Sequence, residues 1–350
     1  DTTDETSETA IVSAGVSGVS TTGNTSTTIT IYDYVLKCNS TAFTEGSTSD
    51  QNTIKNRSTW TAIEAGGAVH PYEQMNVHKV QSFSSSGVSL TGVGETIHVA
   101  DFYCDDNHDI YNNKTITNLD DGGAGESTFG TATSGNNHCQ GVAMFAAGDV
   151  GARTGVAPDA DLILSSIPDT NTHSTSAQAH AADLDIVRAA GAIVSNHSWG
   201  MSDAYTGGDV DNASEFDTYM NAQGYSIGET FGKLRHDDTS SGSVTNWETW
   251  ITALKNYQDT GVIVFASGNE ASESDAGIMS AVPYWYDGTK HSTDLTKAWI
   301  NAIVVEYTGD ADLSDAVSSE FTQKGNPCGV TKEYYLSVDG YDTYQATYVN

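Results

Sequence analysis

The chain has 350 residues, enough to bury a sizeable core in one large domain or in a domain with an extension. Its 46 acidic residues against 14 basic ones give a formal net charge of −32, and such a surface repels nucleic acid and anionic membranes. Screening in salty or calcium-rich water relieves this self-repulsion, so an extracellular setting is expected. No stretch approaches the roughly 18 apolar residues of a membrane span. The start at Asp1 without an export signal is expected of a mature chain whose signal has been removed, with a truncated chain as the alternative.

Residues 1–70 are predicted to be a Ser/Thr-rich N-terminal extension, and residues 71–350 are predicted to be the main domain. Within the extension, the run 28–36 alternates polar and apolar residues as an exposed or edge strand does. The main domain opens with helical spacing at 72–83, where Met75, Val77 and Val80 would share one face.

Strands and helices are then predicted to alternate along the chain. Apolar runs predict strands at 96–101, 160–164, 192–195 and 261–266, and periodic segments predict helices at 138–147, 177–190 and 247–257. Short apolar runs separated by helices indicate an α/β fold, a mostly parallel β-sheet flanked by helices on both faces. The polar stretch 201–245 is interpreted as an insertion with loops and one helix.

Several polar groups directly follow predicted strands or open a predicted helix. In open α/β sheets the reactive groups gather at the carboxyl ends of the strands, so these groups are expected to share one edge. Taken singly each has a structural explanation, such as a turn for an Asn after a Gly or core packing for a Trp. Together they predict one site, made of Asp101, His138, Ser198, Trp199, Gly200 and Asn269.

Five sequence blocks stand in a fixed order along the chain. They are IHVAD at 97–101, NHCQGVA at 137–143, GVAPDADL at 155–162, NHSWG at 196–200 and GVIVFASGNE at 261–270. In this order they resemble the blocks of the subtilisin-like serine proteases (the subtilase or peptidase S8 family). The segment NPCGVTKEYYL at 326–336 is similar to one in bacterial autotransporter subtilases, which gives those members the nearest resemblance.

The resemblance implies a subtilisin-like fold and a secreted serine endopeptidase with an Asp-His-Ser triad and an Asn oxyanion hole. Asp101 and His138 match the catalytic aspartate and histidine, and Asn269 matches the oxyanion asparagine. Ser198, Trp199 and Gly200 are similar to the strand that pairs with the substrate backbone. The implied partner is a polypeptide substrate, while the acidic charge argues against nucleic acid.

The family's serine lies in a GTSxxAP-like segment that does not occur in these 350 residues. We therefore expect the serine on a C-terminal fragment of the same precursor, beyond Asn350, and autoproteolysis would explain the separation. Two alternatives stay open. One is a catalytically inactive subtilase-fold protein acting as an extracellular adhesin or filament subunit, and the other is a protease that processes only its own chain.

The residues beside the matched pair depart from the family pattern. Phe102-Tyr103 stands where the family has Ser/Thr-Gly, and Cys139-Gln140 stands where it has Gly-Thr. The four cysteines alone allow three complete pairings. Because the catalytic aspartate and histidine touch in the family, the resemblance implies a Cys104–Cys139 disulfide. Cys38 and Cys328 remain as a second pair that would tie the extension to the domain, with free thiols as the alternative.

No cofactor is required for this chemistry, and no metal ligand set is expected at the site. The acidic cluster offers carboxylate oxygens to a structural calcium ion, although a solvated surface is the better interpretation in a chain this acidic. Its members are Asp105, Asp106, Asp109, Asp120 and Asp121.

Overall fold

The computed structural model describes residues 46–57, 71–85, 88–102, 104, 106, 109–111, 113–119, 138–150, 153–166, 176–201, 210–309 and 316–340. Its helices are α1 (Thr48–Lys55), α2 (Pro71–Gln74), α3 (Val77–Ser82), α4 (His138–Ala147), α5 (Ser176–Ala189), α6 (Ala213–Gln223), α7 (Ile227–His236), α8 (Ser241–Tyr257) and α9 (Val282–Trp285). Its strands are β1 (Ser84–Ser85), β2 (Val88–Ser89), β3 (Thr96–Asp101), β4 (Ile116–Leu119), β5 (Asp149–Val150), β6 (Arg153–Thr154), β7 (Asp161–Ser166), β8 (Val194–His197), β9 (Val262–Ala266), β10 (Trp299–Tyr307), β11 (Phe321–Gln323) and β12 (Tyr335–Asp339).

A central sheet has the strand order β11-β10-β9-β8-β3-β7-β4, and β12 also pairs with β10. Every pair in it is parallel apart from β10 with β11. The register sets Asp101 beside Ser166, Ala100 beside His197, and His197 beside Phe265. The carboxyl ends of β3, β7, β8 and β9 therefore meet at one edge, as the alternation of strands and helices predicts.

Alternate residues of each strand point to opposite faces of the sheet, and each face has its own core. Val99 and Leu164 pack with α4 on one face. Ala100 and Ile163 pack with α5 and α8 on the other face, in a larger core rich in aromatic side chains such as Trp250. The predicted α/β fold, a mostly parallel sheet with helices on both faces, is confirmed.

Part of the predicted extension packs on the domain. Ile54 on α1 lies in a small apolar cluster with Tyr72 and Val77, and Lys55 pairs with Glu73 at 2.6 Å. The strand-like run at 28–36 lies outside the described residues, so its conformation and the domain boundary at residue 70 stay predictions.

The expectation of one amphipathic helix over 72–83 is wrong. Asn76 has a left-handed backbone with φ 57°, which ends α2 and starts α3 on a new axis. Asn tolerates this conformation better than most residues. As a result Val77 is buried, but Met75 and Val80 are 44% and 47% exposed rather than on a shared buried face.

The expectation of a single helix within 201–245 is also wrong. Two complete helices, α6 and α7, lie there, and α8 already begins at residue 241. Each of the two complete helices has a capping box, formed by Asn212 with Glu215 and by Ser226 with Glu229. These reciprocal bonds satisfy main-chain N–H groups that the first helical turn leaves without partners. The insertion therefore adds ordered helices to the aromatic core.

Candidate active site

The first two predicted site residues are in direct contact. Asp101 is the last residue of β3 and His138 is the first residue of α4, so both lie at the edge formed by the carboxyl ends of the strands. The Nδ1 atom of His138 lies 2.8 Å and 2.9 Å from the two carboxylate oxygens of Asp101. The Asp101 side chain is fully buried, whereas 49% of the His138 side chain is exposed. The pair thus has one anchored end and one end open to solvent.

The electrostatics of the pair follow from this asymmetry. Burial raises the pKa of Asp101, and the hydrogen bonds from His138 and from the Phe102 N–H oppose the rise. The hydrogen bond to Asp101 raises the pKa of His138, and partial burial opposes that rise. An ionised carboxylate accepts a hydrogen bond from the N–H at Nδ1, so the neutral imidazole keeps its lone pair on Nε2. Asp101 thus holds His138 as a base whose Nε2 is free to accept a proton.

A disulfide joins Cys104 to Cys139, the pairing that the resemblance implied, with a Cα–Cα distance of 5.1 Å. Both cysteines are fully buried and lie in the core under α4. Phe102 packs against the aromatic core on the opposite face of the sheet. Phe102, Cys139 and Gln140 are thus turned inward, while 49% of the His138 side chain stays exposed; Tyr103 lies outside the described residues.

The predicted substrate-binding segment leaves β8 at the same edge. Trp199 is 7% exposed and packs on Phe265 and Trp250, so its side chain belongs to the core. Ser198 is half-buried and accepts a hydrogen bond from the Asn196 amide at 2.9 Å. Gly200 is exposed, and no heavy atom lies within 4 Å of the place where its Cβ would be. Among the described residues, the space beside Gly200 is therefore open.

Asn269 follows β9 in a loop at the same edge, and it is exposed. The loop is closed at its base by a 2.8 Å hydrogen bond from the Gly277 N–H to the Ser267 carbonyl. Four of the six predicted site residues therefore come from segments that directly follow β8 and β9, and the other two end β3 and begin α4. The structure places all six on one edge of the sheet.

A buried chain of polar side chains was not foreseen from the sequence. The Trp199 indole N–H donates to Nδ1 of His197 at 3.2 Å, and Nε2 of His197 lies 2.8 Å from the Ser195 hydroxyl. His98 connects that hydroxyl to Ser165, at 2.8 Å and 2.7 Å. Because an indole N–H only donates, Nδ1 of His197 is the acceptor and the His197 imidazole is neutral. A polar residue inside an apolar strand, such as His98, was the signal for it.

This hydrogen-bonded network holds Trp199, and with it the segment that follows β8, against the sheet. Burial lowers the pKa of His98 to about 3 and also lowers the pKa of His197 well below 6.5, consistent with neutral rings. Next to Trp199, a cavity of about 30 Å³ is lined by His180, Phe231, Arg235 and other residues of α5, α7 and α8. The hydrogen-bonded network of His98, Ser165, Ser195, His197 and Trp199 does not include the exposed Asp101–His138 pair.

Two further predictions concern metal binding and the second cysteine pair. Within the described part of the chain, no group of three His, Cys, Asp or Glu side chains is placed to hold a metal ion. Asp106 is exposed, while Asp105, Asp120 and Asp121 lie outside the described residues. Cys328 is half-buried and Cys38 lies outside the described residues, so the calcium site and the second disulfide stay predictions.

Within the ranges that the structure describes, no helix has the length and apolarity that crossing a membrane requires. No curated protein sequence matches the chain.

Several solved structures are similar to this chain at low identity. The prenylagaramide maturation protease PagA is 13% identical, with 72% of this chain and 65% of that chain covered and a TM-score of 0.40. The psychrophilic subtilisin-like protease Apa1 from the Antarctic psychrotroph Pseudoalteromonas sp. AS-11 is 15% identical, with 70% and 41% covered and a TM-score of 0.39. The self-cleaved protease domain of PatA is 14% identical, with 72% and 70% covered and a TM-score of 0.41. The chain thus spans less than two thirds of the length of the first two structures.

The family assignment itself rests on the sequence. The profile of the subtilase family of S8 peptidases matches residues 91–350, from the turn before β3 to the last residue. This range contains Asp101, His138 and Asn269, together with all five motif blocks. The chain belongs to the subtilase family.

Proposed function

We propose that this protein is the larger part of a secreted serine endopeptidase that cleaves peptide bonds through an Asp-His-Ser triad. The observation that carries the proposal is the Asp101–His138 pair, in which a buried carboxylate holds Nδ1 of a half-exposed histidine. A serine hydroxyl is a weak nucleophile at neutral pH and needs a base to remove its proton. His138 is oriented for that task.

In the proposed mechanism, Nε2 of His138 takes the hydroxyl proton of the serine as its oxygen attacks the substrate carbonyl carbon. The imidazolium that forms is stabilised by the Asp101 carboxylate, which also prevents the ring from adopting the other tautomer. The same proton is then given to the leaving amine. Water repeats the cycle on the acyl-enzyme and releases the acid product.

The negative charge that develops on the carbonyl oxygen needs donors fixed in advance. We assign this role to the side-chain amide of Asn269, which is exposed in a closed loop at the same edge as the pair. The exposed main chain around Gly200 is assigned to the substrate, which would add to it as an extended strand.

The nucleophile is assigned to a GTSxxAP-like segment on the C-terminal side of Asn350, in the same precursor. Self-cleavage is the proposed origin of a separate C-terminal fragment, and that fragment is the proposed partner of this chain. Secretion or display at the cell surface is proposed from the disulfide and the net charge of −32. The proposed reaction requires no cofactor.

The test uses the full-length protein with its downstream segment, on a quenched fluorescent peptide library and on casein. We expect hydrolysis by the wild type and a loss of at least about 10⁴-fold in kcat/KM for His138→Ala. His291→Ala is the matched control, because His291 also faces a carboxylate, that of Glu248 at 3.6 Å, away from the site. Equal activity of His138→Ala and His291→Ala contradicts the proposal, and absence of hydrolysis by the wild type favours an adhesin or filament subunit.

A further inference from the structure

One buried side chain fills the loop that bears Asn269. Asn326, which follows β11 in the segment Gly325-Asn326-Pro327, is only 3% exposed. Its side chain bonds to Glu270 and to Asp275, on the two limbs of the loop 267–277. The loop therefore encloses a polar group that comes from a distant part of the chain.

The hydrogen bonds of Asn326 reach both sides of Asn269. Its main-chain N–H donates to the Gly268 carbonyl at 3.2 Å, directly before Asn269. Its Oδ1 accepts from the Glu270 N–H at 3.0 Å, directly after Asn269. Its Nδ2 donates to the Asp275 carbonyl at 3.3 Å, on the returning limb of the loop. All the bonds hold main-chain groups, so they define the loop path itself.

The loop is shaped to receive this side chain. Gly268 has φ +121°, a conformation that side chains rarely adopt, and a Cβ there would overlap Oδ1 of Asn326. The returning limb is tied separately, since Asp275 accepts hydrogen bonds from the Val330 N–H at 2.8 Å and the Ser214 hydroxyl at 2.5 Å. Asn326 and these bonds hold the turn in which Asn269 is exposed, together with its neighbours Glu270 and Ala271.

We propose that Asn326 is a positioning residue that holds the Asn269 amide at the place where the oxyanion forms. The inference rests on the proposed function, because it gives Asn326 a role in the same reaction. A donor to an oxyanion is useful only when fixed in advance, and a misplacement of about 1 Å can cost about 10²-fold in rate. Asn269 is exposed, so its position depends on the main chain at Gly268 and Glu270, and Asn326 holds both.

A double-mutant cycle in the full-length protein tests this. We expect Asn326→Ala to lower kcat by about 10²-fold with little change in KM, and we expect the same of Asn269→Ala. In the double variant the second substitution should have almost no further effect, because the donor it positions is already absent. Asn326→Asp keeps the acceptor for the Glu270 N–H and should retain more activity. Gln258→Ala is the matched control, since Gln258 is another buried amide that bonds a main-chain carbonyl, that of Leu295 at 2.5 Å.

Hydrogen exchange of the peptide 268–277 supplies a readout that does not need catalysis. We expect faster exchange in Asn326→Ala and not in Gln258→Ala. Unchanged exchange, or losses in kcat that multiply in the double variant, overturn the positioning role while His138-dependent hydrolysis keeps the proposed function. Absence of His138-dependent hydrolysis in the wild type contradicts the proposed function, and the catalytic role of Asn326 with it.

Discussion

Removal of the Cys104–Cys139 disulfide is expected to lower the free energy of unfolding by about 4 kcal/mol. The two cysteines are separated by 35 residues along the chain. A cross-link over a loop of this length removes about 13 cal/mol/K of entropy from the unfolded chain, which is about 4 kcal/mol at 25 °C. For a domain of this size each kcal/mol corresponds to roughly 2–4 °C, so Tm should fall by about 8–16 °C.

The assay is urea unfolding of the oxidised wild type and of the double variant Cys104→Ala with Cys139→Ala, followed by tryptophan fluorescence. Because both sulfur atoms are fully buried, the wild type should resist a mild reductant in the folded state and lose the bond only on unfolding. Cys328→Ala is the control for loss of a thiol. A double variant within about 1 kcal/mol of the wild type would refute the view that this bond stabilises the fold through the unfolded chain.

Further expectations follow from other groups near the site. Asp101→Asn should lower kcat/KM by about 10⁴-fold at an unchanged near-ultraviolet circular dichroism spectrum, because an amide does not select the Nδ1–H tautomer. Since the hydrogen bond to Asp101 raises the pKa of His138, the acid limb of the kcat/KM profile should have its midpoint above 6.5; a midpoint below 6.5 counts against this base. Burial lowers the pKa of His98 to about 3, so the unfolded chain binds more protons below pH 6.5, and stability should fall by about 1.4 kcal/mol per pH unit from 6.5 towards 3. Urea titrations of His98→Gln should show a slope smaller by about this amount, because another buried histidine, His197, still contributes. Gly329→Ala should lower the free energy of unfolding by about 1–3 kcal/mol, because Gly329 has φ +44° and a Cβ there would overlap the Asp275 carboxylate. Gly200→Ala should leave the free energy of unfolding almost unchanged, because no heavy atom lies within 4 Å of its Cβ position.

Secondary structure and strand order could be predicted where they depend on the local sequence pattern and on the order of the elements along the chain. The run ending at Asp101 and the helix starting at His138 were both predicted to the residue, because a buried parallel strand and a helix of small residues have clear signatures. Parallel topology then brings their ends together. The contact between the two side chains, and the disulfide beside it, follow from that topology and from the resemblance.

Other features depend on geometry that no local pattern contains. The hydrogen bonds of Asn326 depend on the positive φ of Gly268 and on two segments about 57 residues apart in sequence meeting at the sheet edge. The pairing of His98 with Ser195 depends on the register of two strands. The break at Asn76 required one residue to take the left-handed conformation. By contrast, the capping boxes of α6 and α7 were present in the sequence as N-x-x-E and S-x-x-E and indicate both helix starts.

The central claim is that the Asp101–His138 pair activates a serine. Its most direct test is labelling of the purified native protein with a fluorophosphonate probe, followed by intact mass and peptide mapping, with His138→Ala treated in parallel. The account predicts a label on one serine in a GTSxxAP-like segment beyond Asn350, lost when His138 is replaced. The absence of any label, in a preparation whose downstream peptide is shown to be present and to carry no serine at that position, would contradict it.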